Sequence, residues 1–324
     1  MGGKLKNVLI LFGGNSFEHV ISCKSVNFII DNIDTSKFNY KLVGIDYDNE
    51  WYEINKTNKI DENWKNKVII KIDNIIQYSK KFDVVLPMIH GNSGEDGKLQ
   101  SMFELHNIKY VGCDSYSSII CYDKLLTKLF LEKYSIPQVP YIVYNKNTNL
   151  DIIEYPVIIK PCKCGSSLGI NIAHNKRELK KYLRIAKKYD NNILIEKFIK
   201  NNRELECAIL EDNKKLIISD VGEIINNGSW YDFDAKYINQ NNTIISSIDE
   251  SIKAEIRNYS KNIFNILNCK NLSRIDYLYD LDNKKLYFNE INTMPGFTEI
   301  SMYPKLINNL GIEFKDIITK LLNI

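Results

Sequence analysis

Polar side chains follow an apolar, strand-like run near the C-terminus, at a spacing that could hold a metal ion. In NEINTMPGFTEISMYP (289–304), Glu290 and Asn292 lie two residues apart, so on a strand they share a face. A short turn separates this run from SRIDYLYD, and a hairpin would bring Asp276 beside both. Three oxygen ligands without His or Cys suit Mg²⁺. Solvated polar residues at a strand end would give the same pattern, but Arg274 on the face of Asp276 favours phosphoryl or acyl-phosphate chemistry.

A second group of residues has the chemistry of a phosphate site. The apolar run VIIK leads through Lys160 into a Gly/Ser loop, CKCGSSLG, whose backbone N–H groups could cradle a phosphate. The P-loop pattern is absent, and a flexible hairpin loop would explain the loop alone. A Lys that ends an apolar strand needs a partner, however. Glu196 and Glu204 follow, at a spacing that permits contacts to a base amine and a ribose hydroxyl; exposed acids are the alternative.

A long polar loop, about 226–242, carries more aromatic residues than a solvated loop should. Trp230 and Tyr237 are among them, and Lys236 lies next to Tyr237, where the pair could close over phosphates and substrate. A structureless stretch of this length in a compact domain is often a lid. Packing of the aromatic rings on the domain surface is the alternative.

Two strand-to-helix junctions, GGNSFEHVIS and IHGNSGEDG, suggest a small-molecule site. Helix N-termini attract anions, yet these junctions also carry Glu18 and Glu95, so a zwitterionic substrate fits better than a phosphate. His90 lies in the second junction. GGN is not the GxGxxG pattern, which argues against a dinucleotide-binding fold.

The order of apolar runs predicts α/β and α+β architecture. Strands alternate with helices up to about residue 114, which indicates a parallel sheet. A helix through IICYDKLLTKLFLEKY leads to an antiparallel α+β unit, and a further antiparallel unit begins near residue 199. We therefore expect three domains, 1–114, 115–198 and 199–324.

Composition restricts the class of protein. Lys and Arg total 43 against 40 Asp and Glu, interleaved along the chain, so no basic patch indicates nucleic acid. The N-terminal apolar run VLILF is too short to span a membrane or to act as a signal peptide. Seven Cys without a CxxC pattern suit the reducing cytoplasm.

Taken together, these motifs resemble those of the D-alanine–D-alanine ligases, members of the ATP-grasp superfamily. The segments follow the family order along almost the whole chain: GGNSFEHVIS, HGNSGEDGKLQ, DK (123–124), KPCKCGSSLG, EKFI, DAKY, SRID and NEINTMPGFTEISMYP. The resemblance implies an N-terminal α/β domain followed by two α+β domains that clasp ATP. It also implies that ATP phosphorylates one D-alanine and that the amine of a second attacks the acyl phosphate. A homodimer is the family tendency.

The resemblance carries roles to matching positions. Those implied for ATP are Lys124, Lys160, Glu196, Lys197, Phe198, Ile199, Glu204, Trp230 and Lys236. Those implied for two Mg²⁺ ions, which Mn²⁺ could replace, are Asp276, Glu290 and Asn292. Those implied for the D-alanine substrates and their reaction are Glu18, His90, Ser166, Tyr237, Arg274, Gly296, Ser301 and Met302.

Within this last set, the resemblance implies distinct tasks. Glu18 would pair with the ammonium of the first D-alanine and would hydrogen-bond with Ser166 and Tyr237, which fasten the loop over the site. Arg274 and the N–H of Gly296 would form an oxyanion hole. Ser301 and the N–H of Met302 would bind the carboxylate of the second D-alanine. The loop after Glu196 is longer than in some members, so Glu206 is an alternative to Glu204 at the ribose.

Other functions remain open at this point. Ligases of the vancomycin-resistance type, which join D-alanine to D-serine or D-lactate, resemble the chain too, but many carry Arg at the position of Met302. A non-catalytic ATP-binding regulator would have lost the implied metal ligands or Arg274, and all are present. The hypothesis of a nicotinamide-dependent enzyme is based on the GGN motif alone.

Overall fold

The structure, a computed structural model, describes residues 4–55, 59–66, 69–225 and 243–324. Within these ranges the strands form three sheets, each from a different part of the chain. Every helix in the described ranges is too short or too polar to cross a lipid bilayer.

The N-terminal sheet is parallel at its centre, as predicted. Its strands are β1 (Lys6–Gly13), β2 (Phe38–Ile45), β3 (Trp51–Ile54), β4 (Ile69–Lys71) and β5 (Val84–Pro87). Its helices are α1 (His19–Asn32), α2 (Ile75–Ser79) and α3 (Lys98–Leu105), with a 3₁₀ turn at Trp64–Asn66. The order is β4-β3-β2-β1-β5, in which β1 is parallel to β2 and β5. Central strand β1 is continuously apolar because both of its faces are buried. The antiparallel strands β3 and β4, of which β4 forms an edge of the sheet, were not anticipated.

Two helices, not the single predicted one, connect the first sheet to the second. They are α4 (Ser115–Tyr122) and α5 (Lys124–Glu132). The break falls at Asp123, whose extended backbone ends α4. Its carboxylate accepts hydrogen bonds from the N–H groups of Leu125 and Leu126 at 3.0 and 3.3 Å, and so caps α5. The sequence periodicity continues across a capping residue, which is why the break was missed.

The second sheet is wholly antiparallel, as expected for the middle of the chain. It contains β6 (Tyr141–Tyr144), β7 (Val157–Pro161), β8 (Asn171–Ala173) and β9 (Ile193–Lys197), in the order β6-β9-β7-β8. A 3₁₀ turn at Leu150–Ile152 and helix α6 (Lys176–Ala186) accompany it. Helix α6 buries Leu179, Leu183 and Ala186, one apolar stripe at helical spacing, against the sheet.

The third sheet is antiparallel and separates two hydrophobic cores. Its strands are β10 (Asn202–Asp212), β11 (Lys215–Ile224), β12 (Thr243–Ile245), β13 (Leu272–Asp280) and β14 (Lys285–Asn292), in the order β12-β11-β10-β13-β14. Helices α7 (Glu250–Ile266), α8 (Met302–Asn308) and α9 (Phe314–Leu322) pack on it. On β10, Ala208 and Leu210 face the core shared with the N-terminal sheet, while Cys207 and Ile209 face α7. The third sheet is thereby fixed against the first.

Candidate functional site

Two cavities adjoin where the three sheets meet. The first encloses about 1090 Å³ and the second about 730 Å³ of space between atoms, both including space open to solvent. Predicted residues lining the first are Glu18, His90, Lys124, Ser166, Arg274, Glu290, Asn292, Gly296, Ser301 and Met302. Predicted residues lining the second are Lys124, Lys160, Ser166, Glu196, Lys197, Phe198, Ile199, Glu204 and Glu290. Lys124, Ser166 and Glu290 belong to both, so the cavities share a wall.

The first cavity is built around Glu18, which precedes helix α1. The hydroxyl of Ser166 donates a hydrogen bond to the Glu18 carboxylate across the interface of the first two sheets. A Cβ at Gly91 would lie 2.5 Å from this carboxylate and one at Gly165 would lie 2.9 Å from it, so both glycines allow the close approach. Ser166 and Ser167 have φ of 51° and 59°, a left-handed conformation that turns the loop toward Glu18.

His90 is part of a buried hydrogen-bond chain rather than a free base. Its Nδ1 lies 2.9 Å from the carbonyl oxygen of Met294, so this nitrogen must carry the proton. Its Nε2 then accepts from Ser25 Oγ at 2.8 Å, and Ser25 Oγ accepts from the N–H of Phe297 at 3.3 Å. Burial lowers the pKa of His90 although the Glu18 charge raises it. A neutral His90 therefore anchors the turn after β14 to helix α1.

Glu95 was not assigned a role from the sequence, yet it lines the first cavity. Its carboxylate oxygens accept hydrogen bonds from the N–H groups of Gly91 and Met294, at 2.9 and 3.2 Å. Burial and the nearby charge of Glu18 raise the pKa of Glu95 to about 8. Near neutral pH the carboxyl of Glu95 is therefore protonated.

The β13–β14 hairpin brings together the predicted metal ligands. In the antiparallel register, Asp276 lies opposite Glu290, and Arg274 lies opposite Asn292. Asn292 Nδ2 donates to Asp276 at 3.1 Å. Glu290 and Asn292 line the first cavity, but Asp276 beside them lines neither cavity. In the described ranges, no three His, Cys, Asp or Glu side chains form a metal cage. Mg²⁺ in enzymes is commonly held by one or two carboxylates together with phosphates, for which this donor set is suitable.

Cations neutralise these acids. Arg274 forms two charge-assisted hydrogen bonds with Asp276, at 2.8 and 2.7 Å, and its Nε lies 2.9 Å from Glu206 on β10. Lys124 Nζ lies 3.1 Å from Glu290, whose charge raises the pKa of Lys124 although burial lowers it. The contacts with Asp276 and Glu206 hold the guanidinium of Arg274 in the wall of the first cavity.

A buried trio of charges adjoins the second cavity: Glu196 and Lys160 line it, and Lys128, which the sequence did not reveal, lies behind Glu196. Glu196 lies 2.7 Å from Lys160 and 3.0 Å from Lys128. Burial raises the pKa of Glu196, but the two ammonium groups outweigh it and lower this pKa to about 2. Burial lowers the pKa of Lys128. The available signal was the spacing of Lys124 and Lys128, four residues apart and therefore on one face of α5.

The remaining predicted residues divide between the two cavities. Lys197, Phe198, Ile199 and Glu204 lie together at the end of β9 and the start of β10, beside the apolar Leu278. Glu204 therefore lines the second cavity, whereas Glu206 lines the first with Arg274. Gly296 and Ser301 lie in the turn after β14, and Met302 is the first residue of α8. All three line the first cavity. Ser301 Oγ accepts a hydrogen bond from the N–H of Thr298 at 3.0 Å.

Three predicted residues, Trp230, Lys236 and Tyr237, and the predicted lid at about 226–242 lie outside the described residues.

Comparisons with known proteins agree with this arrangement. Family models described as D-ala D-ala ligase N-terminus and C-terminus match residues 7–113 and 130–323. A D-alanine–D-alanine ligase of Acetivibrio thermocellus is 40% identical over 100% of this chain and 96% of its own length. One from Clostridium acetobutylicum is 38% identical over 98% of this chain and 97% of its own.

Solved structures also match this chain over almost its whole length. The VanG D-Ala:D-Ser ligase from Enterococcus faecalis has a TM-score of 0.86 at 30% identity, over 98% of this chain and 99% of its own. The D-alanine–D-alanine ligase from Bacillus anthracis complexed with ATP has a TM-score of 0.75 at 25% identity, over 98% and 96%. These matches confirm the predicted ATP-grasp fold. The chain belongs to the D-alanine–D-alanine ligase family.

Proposed function

We propose that this protein is an ATP-dependent ligase that joins two D-alanine molecules into D-alanyl-D-alanine for peptidoglycan synthesis. The observation that carries the proposal is the wall shared by the two cavities. Lys124 and Glu290 stand in this wall, 3.1 Å apart. A nucleotide in the second cavity would direct its terminal phosphate across this wall toward a carboxylate in the first.

The second cavity suits ATP. Phe198, Leu278 and other apolar side chains offer a surface for the base, and Glu204 in the same lining would accept a hydrogen bond from a ribose hydroxyl. Lys124 and Lys160 would neutralise phosphates, with Lys236 added from the segment that the structure does not describe. Glu196 holds Lys160 in position at 2.7 Å. The backbone of Lys197 and Ile199, which line the same cavity, would meet the base edge.

The hairpin acids would hold Mg²⁺ with the ATP phosphates. Glu290 and Asn292 face the cavity, and Asp276 lies opposite Glu290 in the hairpin. The ion would neutralise charge on the phosphates during transfer. In its absence Lys124 and Arg274 balance these acids, so metal binding would release both cations toward substrate.

The first cavity suits two D-alanine molecules. Glu18, held by Ser166, would pair with the ammonium of the first. Arg274 and the N–H of Gly296 would stabilise the oxyanion formed when the second amine attacks the acyl phosphate. Ser301 and the N–H of Met302 would bind the second carboxylate, and Tyr237 would complete the contact with Glu18.

A second candidate is a D-alanine–D-serine ligase, which the similarity to VanG favours. Met302 argues for D-alanine, because its thioether offers no donor to a serine hydroxyl. Its Cε packs against the backbone of Gly222, where a Cβ would lie 2.2 Å away, so the side chain is confined. Burying an unpaired hydroxyl costs about 1–3 kcal/mol.

Competition between acceptors tests the proposal. The enzyme is incubated with ATP, Mg²⁺, D-alanine and equal concentrations of D-serine and D-lactate, and products are identified by mass spectrometry alongside phosphate release. D-Alanyl-D-alanine should dominate, D-alanyl-D-serine should be minor and the lactate ester barely detectable. Dominant serine or lactate product would overturn the acceptor assignment, and the absence of any condensed product would overturn the ligase assignment.

We also propose that the enzyme is a cytoplasmic homodimer whose domains span 1–114, 115–198 and 199–324. Each proposed domain contains one sheet, which supports the division. The exposed apolar side chains Leu105, Tyr116, Ile119 and Leu129 on α3, α4 and α5 offer a surface for a second copy.

A further inference from the structure

Three cysteines from distant parts of the sequence form a cluster beside the first cavity. Cys113 precedes helix α4, Cys121 lies in its last turn, and Cys269 lies between α7 and β13. The sulfur atoms of Cys121 and Cys269 are 3.8 Å apart. Cys113 hydrogen-bonds with Cys269, and its sulfur accepts from the N–H of Lys270 at 3.3 Å. All three thiols are buried.

Polar contacts on either side of the cluster hold the two segments in register. Lys270 Nζ lies 3.0 Å from Asp114, and Ser117 Oγ donates to the carbonyl oxygen of Asn268 at 3.0 Å. The N–H of Gly112 donates to Asn271 at 2.7 Å. These contacts leave the sulfur pair of Cys121 and Cys269 in fixed proximity.

Access differs among the three thiols. Cys121 lines the first cavity, and the described lining of that cavity includes neither Cys113 nor Cys269. Of the three clustered thiols, a small oxidant that enters the substrate cavity therefore reaches that of Cys121 first; Cys164 lines the same cavity but lies outside the cluster. Cys269 lies directly behind it, in the position of a resolving thiol.

We propose that Cys121 and Cys269 are an oxidisable dithiol, in which a peroxide converts Cys121 to a sulfenic acid and Cys269 closes a disulfide. In the first step the Cys121 thiolate attacks one peroxide oxygen, an S–O bond forms, the O–O bond breaks and water leaves after protonation. In the second step the Cys269 sulfur attacks Cys121, the S–S bond forms, the S–O bond breaks and a second water leaves. Two thiols and one peroxide thus give one disulfide and two waters.

The surroundings make this reaction slow at neutral pH. Burial and the neighbouring Cys113 raise the pKa of Cys121 against the lowering effect of its hydrogen bond with Cys269. The pKa of Cys269 is raised well above its usual value, since its contact with Cys121, burial and nearby charges outweigh the lowering by Cys113. Because thiolate is the attacking form, oxidation should accelerate as pH rises from 7 toward 9.

A disulfide would disturb the shared wall of the two cavities. The sulfurs must approach from 3.8 Å to a bond of about 2.05 Å. Cys121 is two residues before Asp123, the cap of α5, and three before Lys124. Lys124 Nζ contacts Glu290 at 3.1 Å and the carbonyl oxygen of Cys164 at 2.9 Å. Movement of the α4–α5 junction would displace this ammonium, so oxidation should inactivate the enzyme reversibly.

The test combines peptide mapping with activity. The full-length enzyme is treated with hydrogen peroxide at pH 7 and pH 9, free thiols are alkylated, and digestion with trypsin and chymotrypsin follows. Cleavage after Tyr116 separates Cys113 from Cys121. We expect a cross-link between Cys121 and Cys269, faster at pH 9, with a loss of turnover of at least fivefold that dithiothreitol reverses. Cys269→Ala should form no cross-link and should lose the reversible part of the inactivation, while Cys23→Ala, a buried control on α1, should behave as wild type.

Several results would overturn the inference. These are a cross-link between Cys113 and Cys269 instead, wild-type inactivation with modification only at Cys164, or equal reversible inactivation of Cys269→Ala. The inactivation readout rests on the proposed ligase function, but the cross-link does not. Should Cys269→Ala fail to fold, an absent cross-link in the wild-type enzyme would by itself reject the proposal. Reduced enzyme without ligase activity would count against the proposed function alone.

Discussion

At the scale of single residues, charge compensation organises the site. The acids in and beside the two cavities pair with cations: Glu290 with Lys124, Glu196 with Lys160, and Asp276 with Arg274. Breaking one buried pair leaves an uncompensated charge. Each proposed ligand would replace one of these contacts, which explains why the site can be stable without substrate.

Neutralising the proposed metal ligands should remove most of the turnover. Asp276→Asn and Glu290→Gln should each lower kcat by about a hundredfold, since the metal stabilises charge on the transferring phosphate. Steady-state kinetics at saturating Mg²⁺ measures this. Asp282→Asn, in the turn of the same hairpin, is the matched control and should retain wild-type kcat. A Glu290→Gln enzyme with normal turnover would reject the metal assignment.

Removing the guanidinium of Arg274 should affect the reaction more than nucleotide binding. Arg274→Met should lose about 3 kcal/mol of transition-state stabilisation, the scale for one oxyanion donor. Its Kd for ATP, measured by calorimetry, should change far less. Weak ATP binding combined with normal turnover at high ATP would instead assign Arg274 to the nucleotide.

Glu95 should impose an alkaline limit on substrate binding. Its pKa of about 8 lies above the ordinary 4.5, so the native state retains this proton and the free energy of unfolding falls as pH rises from about 4.5 to about 8. Above pH 8 the ionised Glu95 would offer the substrate ammonium a rival to Glu18. We expect kcat/KM of the wild type to decline near pH 8 and Glu95→Gln, which mimics the protonated form, to lack this transition. Persistence of the same transition in Glu95→Gln would assign it to another group.

At the scale of elements, helix α5 connects the two cavities. Its first residue, Lys124, stands in the shared wall, and Lys128 one turn later reaches Glu196 on β9 at 3.0 Å. The cap at Asp123 sets where the helix begins and hence where both ammonium groups point. The orientation of α5 thus determines both contacts.

Removing one charge of the ion pair between Lys128 on α5 and Glu196 on β9 should destabilise the fold more than removing both charges. Lys128→Met should lower the free energy of unfolding by about 3 kcal/mol, because it weakens compensation of the buried Glu196. The double variant Lys128→Met/Glu196→Gln should recover part of that loss, although Lys160 then keeps only its hydrogen bond with Asn289 and lacks an ionised partner. Urea unfolding of the wild type, both single variants and the double variant measures the coupling. Strictly additive changes would show that the pair does not couple the two elements.

At the scale of the whole molecule, the third sheet joins the parts. One of its faces shares a core with the N-terminal sheet and the other packs on α7. The site is formed where this rigid pair meets the loop after β7 in the second sheet. Exposed apolar side chains on α3 to α5, which belong to the lining of neither cavity, support association of two copies.

The proposed dimer should depend on this apolar surface. Sedimentation of the wild type should give twice the chain mass of 37.7 kDa. Leu105 and Tyr116 are 77% and 71% exposed, so Leu105→Asp/Tyr116→Asp should shift the protein toward the monomer without unfolding it. The matched control Ile152→Asp, 70% exposed on another part of the chain, should leave the mass unchanged. A monomeric wild type would contradict the dimer.

The sequence by itself determined the local chemistry and the order of the elements. Alternating strands and helices predicted the parallel core of the first sheet, and the short LDNK turn predicted the hairpin that sets Asp276 opposite Glu290. These features follow from side-chain periodicity and turn length, which act over a few residues. The motif order was enough to indicate the family.

Only the tertiary structure decided which charges meet across distant segments. Lys128 with Glu196, Arg274 with Glu206, and Cys121 with Cys269 are contacts between elements far apart in the chain. No local pattern encodes them, because they depend on how the sheets pack. The same holds for the raised pKa of Glu95, which arises from burial and the neighbouring Glu18 rather than from its position in HGNSGEDG.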